Sequence, residues 1–449
     1  MRKRLKVFNT CRLRDQRGVT VVLVAILMFF FVGITALAID LSNLYVVRNE
    51  LQNAADAGAL AGARFLYNDD GTAVNTGANA IAWNAAKANQ ALAITGAVSV
   101  DVNWPGGNSG EVQRGHWSFT TRTFTANASP NPVDLWDRSW QSLDDDMNFI
   151  NAVRVVARRQ DTPAASFFAR IFGHQDFRLS AEAVAYIGFA GSLRPEDVDQ
   201  PIAICRQSIV DASGNYTCNT GRMINSSGGT TTNSAAWTNF TQSPCGTASA
   251  SSVRPLVCSE GNPDPLVFGE GMGDVNGMQT SVYSDLRGCW MNAPLPKDSR
   301  GFPVEPWILT LPVIDCCPLD DPDCARPNPG NCDRLVGVVT LNVLWIKQPN
   351  TDPQWTDIPL QMTTPGRSWT CSLGTVITSL TDVQRQQCWQ EFASAFDLKT
   401  ADGTSVGTLT PSDLQKTMFF LPDCEGHEPV GTTGGENYGV LARIPVLVK

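Results

Sequence analysis

Residues 17–66 read RGVTVVLVAILMFFFVGITALAIDLSNLYVVRNELQNAADAGALAGARFL, and the change of character at Asp40 decides the fold. From Val19 to Ile39 the only side chains with polar groups are Thr20 and Thr35. At about 1.5 Å per residue this run matches a hydrocarbon core of roughly 30 Å, and a helix satisfies its own backbone there. Beyond Asp40 no proline interrupts the pattern, and Leu44, Val47, Leu51, Ala54, Gly58, Ala61 and Phe65 recur at three- and four-residue steps. The two halves are therefore expected to form one rod of about 47 residues, roughly 70 Å long. Gly58 and Gly62 stand four apart, with Ala55 and Ala59 beside them and Leu51 one step before. Small residues at that spacing let another backbone come close. The partner of this seam is either the chain's own folded part or the helix of a neighbouring copy.

The flanks orient the span. Arg2, Lys3, Arg4, Lys6, Arg12, Arg14 and Arg17 precede it, against one acid, Asp15. Positive residues stay in the cytoplasm, so a short tail (1–18) is expected inside and everything after residue 39 outside. Ala36-Leu37-Ala38 resembles a signal-peptide cleavage site, but the apolar run exceeds the roughly 7–15 residues of a signal h-region. A retained anchor is the expectation.

The tail's charge of +6 against -9 for the whole chain leaves -15 on the remainder. Such an acidic exterior argues against nucleic acid and against anionic lipid headgroups as partners of the large exported part. Of the 13 cysteines Cys11 alone precedes the span. The rest, Cys205, Cys218, Cys245, Cys258, Cys289, Cys316, Cys317, Cys324, Cys332, Cys371, Cys388 and Cys424, lie in the exported part. An even count in an oxidising compartment reads as a disulfide framework, independently of the charge argument for topology. Cys205–Cys218 and Cys245–Cys258 share a separation of 13 and are candidate local pairs.

After a turn-rich break at 68–77, a second helix is expected over 78–93. AVSVDVNWP, EVQRGHWSFTTRTFTA and NAVRVVARRQ alternate as strands, SFFARIFG (166–173) reads as a helix closed by Gly173, and FRLSAEAVAYIGF returns to strand. Residues 40–190 are thus the long exported helix plus a small α+β domain. From 191 to 449 proline, glycine, serine and threonine rise and the expected strands are PIAIC, SVRPLVC, PWILTLPVI, RLVGVVTLNVLWIK and RIPVLVK, with one helix over 382–396. This reads as a loop-rich, mainly β, disulfide-bonded domain, in which 316–333 forms a rigid exposed loop. The fold class overall is α+β.

Constellations for chemistry are weak. Gly403-Thr404-Ser405-Val406-Gly407 matches G-x-S-x-G without the strand and helix of a nucleophile elbow, so it reads as a turn. His116, His174 and His427 are far apart in sequence. Cys316, Cys317, Cys324 and Cys332 lack the paired spacing of a zinc site. Asp320, Asp321 and Asp323, or Asp274 and Asn276, fall short of a calcium loop and read as solvated turns. No phosphate loop is present, and neither a metal nor a cofactor is expected. Trp104, Trp117, Trp136, Trp140, Trp237, Trp307, Trp345 and Trp355 are expected mostly in cores.

Gln16-Arg17-Gly18 before the apolar span, Asp40 at its exit, Tyr45, and Leu51-Gln52-Asn53-Ala54-Ala55-Asp56-Ala57 with an alanine-rich run after it resemble the N-terminal segment of TadE/TadG-like pilus-assembly proteins of the bacterial tight-adherence (Flp) system. The order VRVVARR, SFFARIFG, RLSAEAVAY extends the resemblance to residue 190. It implies an envelope component of pilus assembly anchored in the bacterial inner membrane and partnered by other pilus-assembly or envelope proteins. The weak constellations for chemistry add that it is non-enzymatic, and the small-residue seam that copies of it could associate through the N-terminal helix. A surface-exposed or released adhesin-like minor subunit is the alternative. Pseudopilin-like members carry a Glu five residues after the glycine that precedes the span. Leu23 stands there, which favours the TadG-like branch. Some TadG-like proteins also carry a von Willebrand factor A domain with a D-x-S-x-S metal site. The nearest stretch, Asp211-Ala212-Ser213-Gly214-Asn215, ends in Asn, and no such site is expected.

Overall fold

The first helix, α1 (Arg17–Arg64), is unbroken over 48 residues, as the continuous pattern through Asp40 requires. In the computed structural model its two halves meet different surroundings. From Val21 to Leu41 the large apolar side chains are exposed, Phe29 by 77%, and the segment is long and apolar enough to cross a membrane. From Val47 onward one face is buried: Leu51, Ala54, Ala55, Ala59, Ala63 and Leu66 have no accessible surface. The buried stripe is rotated slightly from the one read in sequence, for Phe65 is 43% exposed and Leu66 takes the inward position. The structure describes residues 17–68, 73–93, 96–135, 138–210, 216–218, 222–223, 235–275, 280–316, 332–347, 379–399, 405–408, 417–427 and 431–449, and single positions 358–359, 362, 364, 367, 369 and 371.

The second half of α1 is the spine of the first unit. Helix α2 (Ala78–Lys87) lies along it and ends at Lys87, short of the expected end at residue 93. Asn89 Nδ2 donates to the carbonyl of Ala85, and the chain then forms β1 (Gln90–Ala93) and pairs with β2 (Gly96–Ser99). Strands β3 (Val112–Ser118), β4 (Thr123–Ala126), β5 (Ala152–Ala165) and β6 (Asp176–Tyr186) make an antiparallel sheet in the order β6-β5-β3-β4. The short α3 (Trp140–Asp144) precedes β5 and is capped by the Ser139 side chain, which accepts from the Ser142 amide. The inner face of the sheet, with Val153, Val155, Ala157, Ala183 and Ala185, packs on α1.

The second unit is built on one larger sheet. After β7 (Ser192–Leu193) come β8 (Ile202–Cys205), β9 (Arg222–Met223), β10 (Ala235–Thr238), β11 (Leu266–Val267), β12 (Gly271–Met272) and β13 (Asp274–Val275). Then follow β14 (Trp307–Asp315), β15 (Asp333–Ile346), β16 (Met418–Phe420) and β17 (Glu425–Gly426). The main order is β13-β10-β8-β14-β15-β16-β9, with β12 and β17 also on β15. Its central strand, β15, is apolar at successive positions because the sheet is covered on both faces. Val336, Val339, Leu341, Val343 and Trp345 join one cluster, and Leu335 and Val338 join another on the opposite side. Trp345 centres the larger cluster, with ring centroids 4.9 Å from Phe419 and 5.2 Å from Trp389. Trp389 comes from α6 (Asp382–Ala395), which starts at a Thr381–Gln384 capping box close to the expected boundary. Helix α5 (Thr280–Asn292) was missed, although Val282, Tyr283, Leu286, Cys289 and Trp290 recur at helical spacing and are buried. The stretch SVRPLVC is not a strand: α4 (Ala250–Val253), capped by Ser249, runs into a 3-10 turn at Arg254–Leu256.

Two expectations need correction. Neither equal-spacing disulfide forms. The bonds are Cys205–Cys316, Cys218–Cys424, Cys245–Cys332, Cys258–Cys289 and Cys371–Cys388. Cys205 ends β8 and Cys316 follows β14, and these strands run side by side in parallel, so sheet pairing rather than sequence spacing brings the sulfurs together. Cys317 and Cys324, with most of the 316–333 loop, lie outside the described residues. The C-terminal RIPVLVK also leaves the second unit. Its strand, β18 (Val446–Leu447), pairs with Tyr186 and Ala185 of β6, after the chain has run back beside Phe189 and Ala190.

Candidate functional site at the exit of the apolar helix

Asp40, where the apolar run ends, is buried although its neighbour Leu41 is 46% exposed. Its carboxylate accepts hydrogen bonds from the backbone amides of Phe167 (2.8 Å), Phe168 (3.0 Å) and Ala169 (2.7 Å), and from the Ser166 hydroxyl (3.2 Å). Three successive amides facing one acid are the free donors that open a helical turn. Burial works against the charged form, but these four donors outweigh it and hold the carboxyl below the usual range. The sequence reading used Asp40 only as a marker of the exit. Its role as a clasp on a segment 126 residues later was invisible because the partner amides carry no side-chain signature.

The clasped segment is the SFFARIFG stretch, which forms a 3-10 turn (Ala169–Phe172) rather than an α-helix. It is closed by Gly173 at φ 90°, a conformation that favours glycine. Phe168 shares a groove along α1 with Met28, Phe31, Val32, Thr35, Ala36 and Ile39. Phe167, Ile171 and Phe172 face outward, 42%, 76% and 80% exposed.

About three to six turns further along α1, the family-like residues acquire roles. Gln52 Nε2 donates to Asp56 Oδ1 (2.8 Å) and to the Glu182 carbonyl of β6 (3.3 Å), pinning helix to sheet. Leu51, Ala55, Gly58, Ala59 and Gly62 come together on the buried face. A Cβ on Gly62 would sit 2.7 Å from the Ala82 Cβ and 2.9 Å from a Val153 methyl, and one on Gly58 2.9 Å from the Ala82 carbonyl oxygen. The seam is thus filled by α2 and β5 of the same chain.

The remaining sequence candidates are dispersed. His116 is buried between the carbonyls of Phe149 and Asp144, each 2.8 Å from a ring nitrogen, while His174 is exposed and His427 half-buried. Burial, then the charge of Arg443, hold the His427 ring below its ordinary range against Asp197 and Asp199. Asp274 is not a solvated turn: it is buried in β13, where burial and then the charge of Asp333 push its carboxyl up to about 7. Ser405 of the G-x-S-x-G stretch immediately precedes a 3-10 turn (Val406–Thr408). Asn276, Asp320, Asp321, Asp323, 211–215 and 403–404 lie outside the described residues, as do Trp136 and Trp355. Trp237 and Trp345 are fully buried and Trp117 nearly so, whereas Trp140 is 42% exposed. Among the described residues no group of three or more His, Cys, Asp or Glu side chains could hold a metal ion.

Residues 18–64, nearly the whole of α1, match the family model described as Flp pilus-assembly TadE/G-like. Residues 61–185, covering the rest of the first unit through β6, match the one described as Tad-like Flp pilus-assembly. No curated protein and no solved structure matches the chain. The two matches adjoin at the end of α1 and together span the clasp, the seam and the sheet that fills it. Through them residues 18–185 are TadE/TadG-like, matching family models of Flp pilus assembly.

Proposed function

We propose that the chain is a single-pass, non-enzymatic component of Flp pilus assembly, of the TadG-like branch, anchored in the bacterial inner membrane by residues 19–39. In this reading the basic tail 1–18 is cytoplasmic and the units 40–190 and 191–449 are extracytoplasmic, with the last strand returned to the first. The observation that supports it most is α1, a single helix exposed and apolar in one half and a core element in the other. A bilayer removes the cost of the first half, while the second half fixes the folded units to the anchor without a flexible joint. Leu23 in place of a Glu supports retention over pilin-like processing. Ala36-Leu37-Ala38 lies inside unbroken helix, where Ser42 Oγ donates to the Ala38 carbonyl.

The partners are other pilus-assembly or envelope proteins. Because Leu51, Ala55, Gly58, Ala59 and Gly62 are occupied from within, copies of the chain would meet through the apolar half of α1. Deleting the gene should abolish pilus assembly and surface attachment, and the full chain supplied in trans should restore both. Normal piliation in the deletion strain would refute the assignment.

A further inference from the structure

We propose that the turn at 166–173 is a second membrane contact, an apolar wedge that enters the outer part of the bilayer beside α1. The proposal rests on the anchored reading above and adds to it a lipid-binding site in the folded unit. Position argues for it first. Asp40 holds the amides of residues 167–169 at the point where the apolar run ends, and Phe168 shares its groove with side chains from Ile39 back to Met28. The turn therefore reaches down the apolar half of α1, not up toward the sheet.

Surface chemistry agrees. Phe172, at 80%, is more exposed than any other large apolar side chain among the described residues, and Ile171 beside it is 76% exposed. Exposed Arg178 suits lipid phosphates at the headgroup level, while exposed Arg170 braces the turn, its Nε and Nη2 donating to the Ser166 carbonyl. Backbone donors of the turn are also met from within the chain. Asp40 takes the first three amides and Ser166 Oγ that of Arg170. The carbonyls of Phe168, Arg170 and Ala169 take those of Ile171, Gly173 and His174. Backbone donors at membrane depth must be met internally, and an ordinary surface loop leaves several of them to solvent.

The test uses the full-length chain with Cys11→Ser, reconstituted in phosphatidylcholine vesicles containing a minor share of phosphatidylglycerol. Single Ile171→Cys, Phe172→Cys, Leu37→Cys and Met147→Cys variants are labelled with nitrobenzoxadiazole, with the Cys11→Ser parent as background. Quenching by lipids that carry a spin label near the acyl carbonyl is then measured. The four positions are exposed, so the substitutions leave the core untouched. Quenching at 171 and 172 within about twofold of that at 37, with 147 unquenched, is the expected result for insertion of roughly 5–10 Å. Quenching at 37 with 171 and 172 as silent as 147 overturns the wedge, keeps the anchor and leaves the turn free for a protein partner. Silence at 37 as well overturns both.

Discussion

Asp40 shows how one residue joins two parts of the chain. Its carboxylate is worth most while charged, because all its partners are donors. Replacing it with Ala leaves three partly buried amides without their acceptor, at a cost of up to about 1–3 kcal/mol. Hydrogen exchange at residues 167–169 should accelerate in Asp40→Ala, with exchange in β5 and β6 unchanged. Since its folded pKa is lowered, this contribution is full above the unfolded value and fades as pH falls through the folded one. Asp274 has the opposite sign. Its carboxyl, raised to about 7, binds a proton in the folded chain that the unfolded chain releases near pH 4. Stability from this group therefore falls as pH rises across that window, by up to about 1.4 kcal/mol per unit. The urea midpoint of Asp274→Asn should vary less between about pH 4 and about pH 7 than that of the wild type. An acid beside Gly273 and Asn276 reads as a turn in sequence; only the sheet around β13 makes it a buried one.

At the scale of elements, whatever has a strong period was legible: α1, α6, β14 and β15 fall within a few residues of their expected limits. What failed was decided by tertiary context. Residues 88–93 keep a helical pattern but are drawn into the β1–β2 pair, and SVRPLVC looks like a strand until the Ser249 cap and Pro255 turn it into a helical end. The Cys205–Cys316 pair followed the sheet, which no cysteine spacing encodes. The small-residue seam was legible as a close-packing face, while its partner, α2 with β5, was left open between the chain and a neighbour. That packing is testable on the helix itself. Gly62→Val would overpack Ala82 and Val153 and should lower stability by about 1–3 kcal/mol, read as a reduced unfolding temperature. Gly33→Val, where an added Cβ meets nothing within 4 Å, should leave that temperature unchanged.

For the whole molecule, the account turns on α1 belonging to two environments at once. The folded units do not hang from a linker: α1 fills the first unit, Asp40 clasps the 166–173 turn, and the end of the chain returns to β6. On the anchored reading, a cut after Ala38 would spare the folded units but remove their transmembrane anchor. N-terminal sequencing of the protein in washed membranes and in the medium measures directly whether that anchor is retained. The account predicts membrane-bound protein that still carries the basic tail before Val19. Protein in the medium that begins at Ile39 or beyond would contradict it.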